Sequence, residues 1–354
     1  VTVSIDDPDV PDLCPEPEGD AVISAEFQSI AATDALMVWD EGACQTVLSE
    51  VSDGIEQVYF RARPQQDAPE RARADYVLLS ATLDGVPGDG DSTAPRVADV
   101  GNFAVFETQA DNLIGDVVDT EVAIVKFFPD TLEPALINRF DVNPPATTSP
   151  ALSGNGQWVA AVTEGNVRVM DLRPTTPVAI DFLAAAHSPE FDTTGRFLAL
   201  VTPTGLVETD TDGVESVYLA DRDPDDDDRF TGEPAWSLVS VFPDGGTPNA
   251  VEVVSVAGEG QLVAWIGDGS VYLTDVSEGR PATQLVSLDD SGTQATEVVS
   301  ADVSKDGSFV VFSTREFSSS GRLEAWSVDT SSFVATRVAL DEGGDLATED
   351  VLDA

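Results

Sequence analysis

The stretch Val256–Val276, VAGEGQLVAWIGDGSVYLTDV, decides the reading of this chain. A glycine turn around Gly258 and Gly260 leads into the apolar run LVAWI. Asp268-Gly269 then turns the chain back, and VYLT runs out to Asp275. Asp-Gly between two apolar runs is a strong hairpin signal, because both central turn positions need a positive φ. Apolar and polar residues alternate at period two, and Val, Tyr and Trp favour a pleated, half-buried surface. The stretch therefore predicts short antiparallel strands.

The pattern recurs along the chain. It appears as SGNGQWVAAVTEGNVRVMDL from Ser153, as FDTTGRFLALVTPTG from Phe191 followed by ESVYLAD, and as VSKDGSFVVFSTREFSSSGRLEAWSVD from Val303. Fainter copies are VADVGNFAVFETQADNLIGDVVDTEVAIVKF from Val97, and AATDALMVWDEG followed by IEQVYFRA nearer the N-terminus. Helical periodicity is nearly absent, with VAIDFLAAAHSP (178–189) the one stretch that invites it. Six units of roughly 40 to 70 residues, four strands each, predict an all-β chain: a six-bladed β-propeller of four-stranded antiparallel blades. Radial closure also protects the strand edges that a flat array would expose. The blades fall at about 22–92, 93–147, 148–186, 187–250, 251–297 and 298–342. Residues 1–21 form an N-terminal extension whose VTVSI is placed as an added outer strand on a neighbouring blade or on a partner. Residues 343–354 form an acidic tail.

The units resemble the TolB-type, WD40-like propeller repeat, whose core runs roughly S-x-D-G-x-x-aliphatic-aliphatic-Phe-x-Ser. VSKDGSFVVFST (303–314) matches it best. SPEFDTTGRFLALVT keeps the Ser188-Pro189 opening and Gly195, with three residues inserted before the glycine. ADNLIGDVVDTEVAIVKF and LVETDTDGVESVYLADRD resemble a longer variant with an Asp/Gly loop before the third strand. The resemblance covers roughly residues 22 to 342 and implies the fold. It says almost nothing about activity, since propellers host many functions.

Among 354 residues, 65 are acidic and 17 basic, a formal charge of −48. Such a surface repels phosphate backbones and anionic lipid heads, which excludes nucleic acid as a partner and points to surroundings rich in cations. No run reaches the roughly 20 apolar residues of a membrane helix, so direct insertion is not expected. No charged n-region with an apolar h-region is present. The expectation is a mature, extracytoplasmic chain (periplasmic, cell-surface or secreted) with its signal peptide removed. Cys14 and Cys44 are the only cysteines; they read as one disulfide, with two buried thiols as the alternative.

The most charged segment is ADRDPDDDDRFTGE (220–233), placed between a third and a fourth strand. Asp221, Asp223, Asp225, Asp227 and Glu233 approach the alternate spacing of a Ca²⁺ loop. However, Asp226 stands where such loops need glycine, and Glu233 falls one place late. Two readings stay open, a structural Ca²⁺ site and a salt-screened acidic turn. Asp210, Asp212 and Glu215 around Gly213 offer a second metal set against an ordinary Asp-Gly turn. DGVPGDGDS (84–92) reads as a flexible loop. His187, the single histidine, excludes multi-histidine metal sites and has no marked nucleophile beside it. Glu26, Glu190 and Asp302 occupy related places near the innermost strands, where carboxylates could face a central channel. Trp39, Trp158, Trp236, Trp265 and Trp326 read as packing residues. No organic cofactor motif occurs.

No nucleophile, base and orienting group converge in the sequence. The reading is a non-catalytic, exported scaffold that binds protein partners, or an accessory subunit of a larger extracytoplasmic assembly. The alternative is a Ca²⁺-dependent hydrolase or lactonase with its site in the channel.

Overall fold

The computed structural model describes residues 25–30, 36–41, 55–62, 76–98, 103–115, 119–127, 134–140, 146–174, 179–226, 230, 233–257, 260–277, 281–289, 291–317 and 324–337. Cys14, Cys44, the VTVSI segment, Asp227 and the acidic tail lie outside these residues.

The described residues contain six four-stranded antiparallel sheets, each made of four strands consecutive in sequence. Sheet I holds β1 (Ala25–Ile30), β2 (Leu36–Glu41), β3 (Gln57–Ala62) and β4 (Tyr76–Leu78). Sheet II holds β5 (Ser92–Val97), β6 (Phe103–Thr108), β7 (Glu121–Phe127) and β8 (Pro134–Arg139). Sheet III holds β9 (Thr147–Leu152), β10 (Trp158–Thr163), β11 (Asn166–Asp171) and β12 (Ala179–Ala184). Sheet IV holds β13 (His187–Phe191), β14 (Phe197–Thr202), β15 (Ser216–Asp221) and β16 (Ala235–Leu238). Sheet V holds β17 (Val251–Ala257), β18 (Leu262–Gly267), β19 (Ser270–Asp275) and β20 (Ala282–Leu285). Sheet VI holds β21 (Val298–Val303), β22 (Phe309–Thr314), β23 (Glu324–Asp329) and β24 (Val334–Arg337). Within the helix-like stretch 178–189, Ala179–Ala184 is a strand paired with β11, and His187 opens the next strand, β13. Among the described residues the one helix is a single turn, α1 (Asp111–Ile114). No helix among them is long and apolar enough to cross a membrane.

Strand alternation sends side chains to both faces of a sheet, and sheets that follow one another in the chain pack face to face. In sheet III, Val159 and Ala161 join Val105 and Ile124 of sheet II, while Trp158 and Ala160 join Leu198 and Tyr218 of sheet IV. Further cores fill the junctions I–II, IV–V and V–VI. Large side chains buried there, such as Trp265 and Phe312, each contribute about 2–3 kcal/mol by leaving water. Trp265 also donates its Nε1–H to Thr274 Oγ1 at 2.8 Å and stacks on Tyr272 at 4.7 Å.

Glycines in the turn between first and second strands set how closely the sheets approach. Gly195 of sheet IV lies against Trp158 of sheet III, Gly260 of sheet V against Phe197 of sheet IV, and Gly307 of sheet VI against Leu262 of sheet V. All three have φ between 72° and 81°, and a Cβ at any of them would overlap the seated side chain. Both demands select glycine.

The first strands carry a second recurrent device. Pairing with the second strand is interrupted at Thr93/Arg96, at Thr148/Ala151 (opposite Val162/Ala160) and at His187/Glu190. At each interruption a residue with positive φ precedes a proline: Ala94-Pro95, Ser149-Pro150 and Ser188-Pro189. Proline has no N–H to contribute to a ladder, so it fits at a bulge.

The 84–92 segment, whose composition suggests a flexible loop, makes several hydrogen bonds to its surroundings. Gly88 N–H donates to Ser80 O, Asp89 and Asn112 exchange backbone-to-side-chain hydrogen bonds, and Asp91 Oδ1 accepts from Glu56 N–H.

Replacing Gly260 by Ala combines backbone strain with overlap against Phe197, and is expected to lower stability by about 3 kcal/mol. Gly292, at φ 82° with open space around it, is the control and should cost about 1 kcal/mol on the same change. Chemical unfolding of the two variants checks this, and equal losses would refute the packing argument.

Candidate functional site at the inner strands and the acidic loop

The interrupted first strands aim one residue each at an equivalent register position. Arg96 pairs with Val105, Ala151 with Ala160, Glu190 with Ala199, Ser255 with Ala264 and Asp302 with Val311. In sheet I the corresponding residue is Ser29, opposite Val38. Glu26, grouped with Glu190 and Asp302 on sequence, pairs instead with Asp40 and lies off this row.

Arg96 Nη2 lies 3.3 Å from Glu190 Oε1, so sheet II reaches sheet IV past Ala151 of sheet III. Asp302 of sheet VI interacts with both charges and accepts a hydrogen bond from Ser255. The Arg96 and Glu190 side chains are 28% and 21% exposed, and Asp302 is open to solvent while enclosed by protein. Burial pushes the Glu190 carboxyl up, Arg96 pulls it down, and the Asp302 charge pushes it up again. Burial likewise raises Asp302, against the Val303 N–H, Arg96 and Ser255. In this cluster burial favours a retained proton on both carboxyls, the Asp302 charge adds to that at Glu190, and Arg96 opposes it.

The acidic loop joins β15 to β16, and its first carboxylate meets an arginine. Arg196 donates Nε and Nη2 to Asp221 at 2.8 and 2.9 Å in a bidentate pair, and Nη1 to Asp226 Oδ1 at 2.8 Å. Asp221 Oδ1 also accepts the Asp223 N–H at 3.0 Å, and Asp226 N–H donates to Asp223 O. Asp223 is buried, whereas Asp225 and Glu233 are exposed.

Arg222 anchors the loop from within. Its guanidinium is buried over the Trp158 ring at 4.1 Å, with Phe230 at 5.1 Å and Phe191 at 5.3 Å, and it donates to Gly195 O. Desolvation brings its pKa down to about 10 despite the nearby Asp192 and Asp171 charges. Phe230, from the far end of the acidic run, packs edge-on against Trp158 at 5.0 Å. Arg222 and Phe230, from the two ends of the run, therefore both pack at the junction of sheets III and IV. Arg196, Arg222 and Phe230 were missed in the sequence; the visible signal was a basic or aromatic residue at each end of the acidic run.

Asp210, Asp212 and Glu215 serve three separate purposes. Asp210 accepts from Tyr218 Oη, Asp212 Oδ1 accepts the Val214 N–H at 2.9 Å, and Glu215 Oε1 lies 3.2 Å from His187 Nε2. Among the described residues, no three His, Cys, Asp or Glu side chains converge as metal ligands.

His187 Nδ1 also lies 3.0 Å from Ser188 Oγ, giving a serine–histidine–glutamate chain of contacts. Its geometry argues against nucleophilic catalysis. The positive φ of Ser188 recurs at Ala94 and Ser149, so it belongs to the bulge. The next residue is Pro189, which has no N–H to place in an oxyanion hole.

No family model matches the chain. The β-propeller domain of the Trilobed protease from Pyrococcus furiosus, described as having an open velcro topology, superposes with a TM-score of 0.53. It is 9% identical, over 90% of this chain and 85% of that one. The shared fold is that of a β-propeller domain. TolB from Acinetobacter baumannii gives a TM-score of 0.44 at 13% identity, over 82% of this chain and 68% of that one. A putative 6-phosphogluconolactonase from Bacteroides uniformis gives 0.47 at 9% identity, over 88% and 83%. A curated relative, Pre-mRNA-processing factor 19 homolog 2 of Arabidopsis thaliana, is 25% identical over 175 residues. The match spans 49% of this chain and 29% of that relative's length.

The raised carboxyls carry a pH signature of definite sign. Between the ordinary carboxylate value and the raised one, the folded state binds more protons than the unfolded state. Glu190 and Asp302 therefore favour folding as pH falls and weaken it as pH rises through their folded pKa values. Replacing both (E190Q/D302N) should flatten that part of the stability–pH curve between neutrality and the ordinary carboxylate range. Unfolding midpoints measured at several pH values decide the point, and an unchanged slope would refute it.

Proposed function

We propose that the chain is a six-bladed, TolB-like β-propeller that works without catalysis, as a rigid scaffold binding a protein partner outside the cytoplasm. The observation that carries the ring is the meeting of Arg96, Glu190 and Asp302, since first strands from alternate sheets approach each other when all converge on one axis. Consecutive packing of the sheets and the likeness to a propeller domain support the same reading.

The charge distribution supports binding to a cationic partner. Turn carboxylates such as Asp306, Asp329 and Asp289 accept hydrogen bonds from nearby hydroxyls and N–H groups, which hold their pKa low, at about 2 for Asp306. They stay ionised at the exposed turns. A basic protein surface is the complement, and salt should weaken the complex. The Cys14 and Cys44 pair supports an oxidising compartment. In this reading Asp221–Glu233 is a salt-screened turn held by Arg196 and Arg222.

Two measurements test the proposal. Affinity capture from the native source should retain a basic protein at about 0.15 M salt and release it at about 1 M. Cross-links should fall on the acidic turns. Turnover of a lactone panel that needs Ca²⁺ and is lost in E190Q would overturn the non-catalytic reading. For the loop, thermal unfolding with Ca²⁺, against Mg²⁺ at fixed ionic strength, should show no specific rise. A Ca²⁺-specific rise abolished by D223N/D225N would make the loop a cation site.

A further inference from the structure

The turn before β10 carries the chain's one asparagine followed by glycine, Asn155-Gly156. Its Ser153-Gly154-Asn155-Gly156 is matched in sheet VI by Ser304-Lys305-Asp306-Gly307, and the two turns share their internal hydrogen bonds. The glycine N–H donates to the serine carbonyl, at 2.8 Å for Gly156 and 2.7 Å for Gly307. The serine hydroxyl donates to Oδ1 of the third residue, at 2.8 Å in both. That Oδ1 also accepts the N–H of Gln157 or Ser308, at 3.0 Å in both.

Asn155 adds a bond that an acid cannot make. Its Nδ2 donates to Thr194 O of sheet IV at 2.6 Å, beside its own N–H, which donates to Thr193 O at 2.7 Å. The orientation of the amide is fixed, because Oδ1 faces a backbone donor and Nδ2 faces a backbone carbonyl. Both bonds reach the turn whose Gly195 lies against Trp158, so they belong to the junction of sheets III and IV.

An Asn-Gly pair is chemically labile, because glycine has no Cβ to shield the nitrogen that follows the asparagine. With its proton removed by base, the Gly156 nitrogen attacks Cγ of Asn155. The new C–N bond closes a five-membered imide, the Cγ–Nδ2 bond breaks, and the nitrogen leaves as ammonia with a proton from water. Water then opens the imide at either carbonyl, giving aspartate or its isomer linked through the side chain. The net reaction exchanges amide and water for acid and ammonia, with no redox step.

We propose that Asn155 is a modification site guarded by the fold: the closed III–IV junction blocks its deamidation, and deamidation after the junction opens removes the bond to Thr194 for good. In the folded chain every reacting group is engaged. The Gly156 N–H is held by Ser153 O, the side-chain carbonyl by Ser153 Oγ and the Gln157 N–H, and the leaving nitrogen by Thr194 O. Closing the imide must break this set together, and the bond to Thr194 breaks only when the two turns part. The aspartate product keeps the bonds at Oδ1, as Asp306 does, so the hairpin survives. Hydrogen bonds from the Ser308 hydroxyl and N–H hold Asp306 ionised, with a pKa of about 2. An acid in the same turn at 155 therefore sets a carboxylate against the Thr194 carbonyl, which loses its donor. The isomer lengthens the backbone and loses the turn as well.

Peptide mapping by mass spectrometry, on the full chain held in mildly alkaline buffer with and without urea, tests the protection. Asn155 should convert at least about tenfold faster in urea, since the folded chain reacts only through local opening. G156A should slow the conversion in urea, where its Cβ shields the nitrogen. Equal rates in the folded and unfolded chain would overturn the proposal. The consequence is read in N155D, whose unfolding midpoint should fall by about 3 °C for the lost bond between sheets. The Gln157 N–H should keep its protection from hydrogen exchange in that variant. An unchanged midpoint, or lost protection at Gln157, would overturn the assignment of Asn155 to the junction.

Discussion

A large side chain seated on a left-handed glycine is the contact on which the stacking of these sheets depends. Each sheet is ordinary by itself: four short strands with apolar residues on both faces, which a single such unit cannot bury alone. Stability comes from the junctions, and the junctions close only if the turn backbone of one sheet can touch the ring or aliphatic chain of its neighbour. At Gly195, Gly260 and Gly307 the missing Cβ supplies that approach and the permitted φ supplies the turn. A single glycine thus fixes a local hairpin and a long-range interface at once.

The few cations of this acidic chain are placed where they organise carboxylates. Arg196 gathers Asp221 and Asp226, Arg173 holds Asp171 at 2.7 Å, Arg337 holds Glu324 at 2.6 Å and Arg96 reaches from sheet II to Glu190 of sheet IV. The more exposed of these pairs contribute little to stability, since water and salt screen them. Their effect is positional. Arg222 differs because it is buried among aromatic rings, where its flat guanidinium stacks and loses less hydration than an ammonium would. That choice fits the composition, in which only Lys126 and Lys305 are lysines.

The inner row shows how one bulge converts a structural position into a chemical one. Without the interruption at Ser188-Pro189, the period-two alternation would carry Glu190 to the opposite face. With it, Glu190 turns toward Arg96 and Asp302, and three charges from three separate sheets share one small volume. The row is mostly small or polar, with Ala151 and Ser255 leaving room between the charges.

Strand order, hairpins and the all-β class were legible in the sequence because period-two alternation and Asp-Gly turns are local physics, written within stretches such as Val256–Val276. So was the placement of the acidic run between β15 and β16. Its partners were not. Arg196 lies 25 residues from Asp221 and meets it only because β14 and β15 pair in register. The acidic spacing left a cation loop and a solvated turn both open; folding places a guanidinium beside Asp221 and Asp226. Glu26 was grouped with Glu190 and Asp302 because counting along strands cannot see a bulge, which shifts register by a residue. Local sequence determined the strands and turns through backbone and burial preferences. Tertiary structure decided which charges meet, because those distances are set by sheets that are remote in sequence and brought close only by packing.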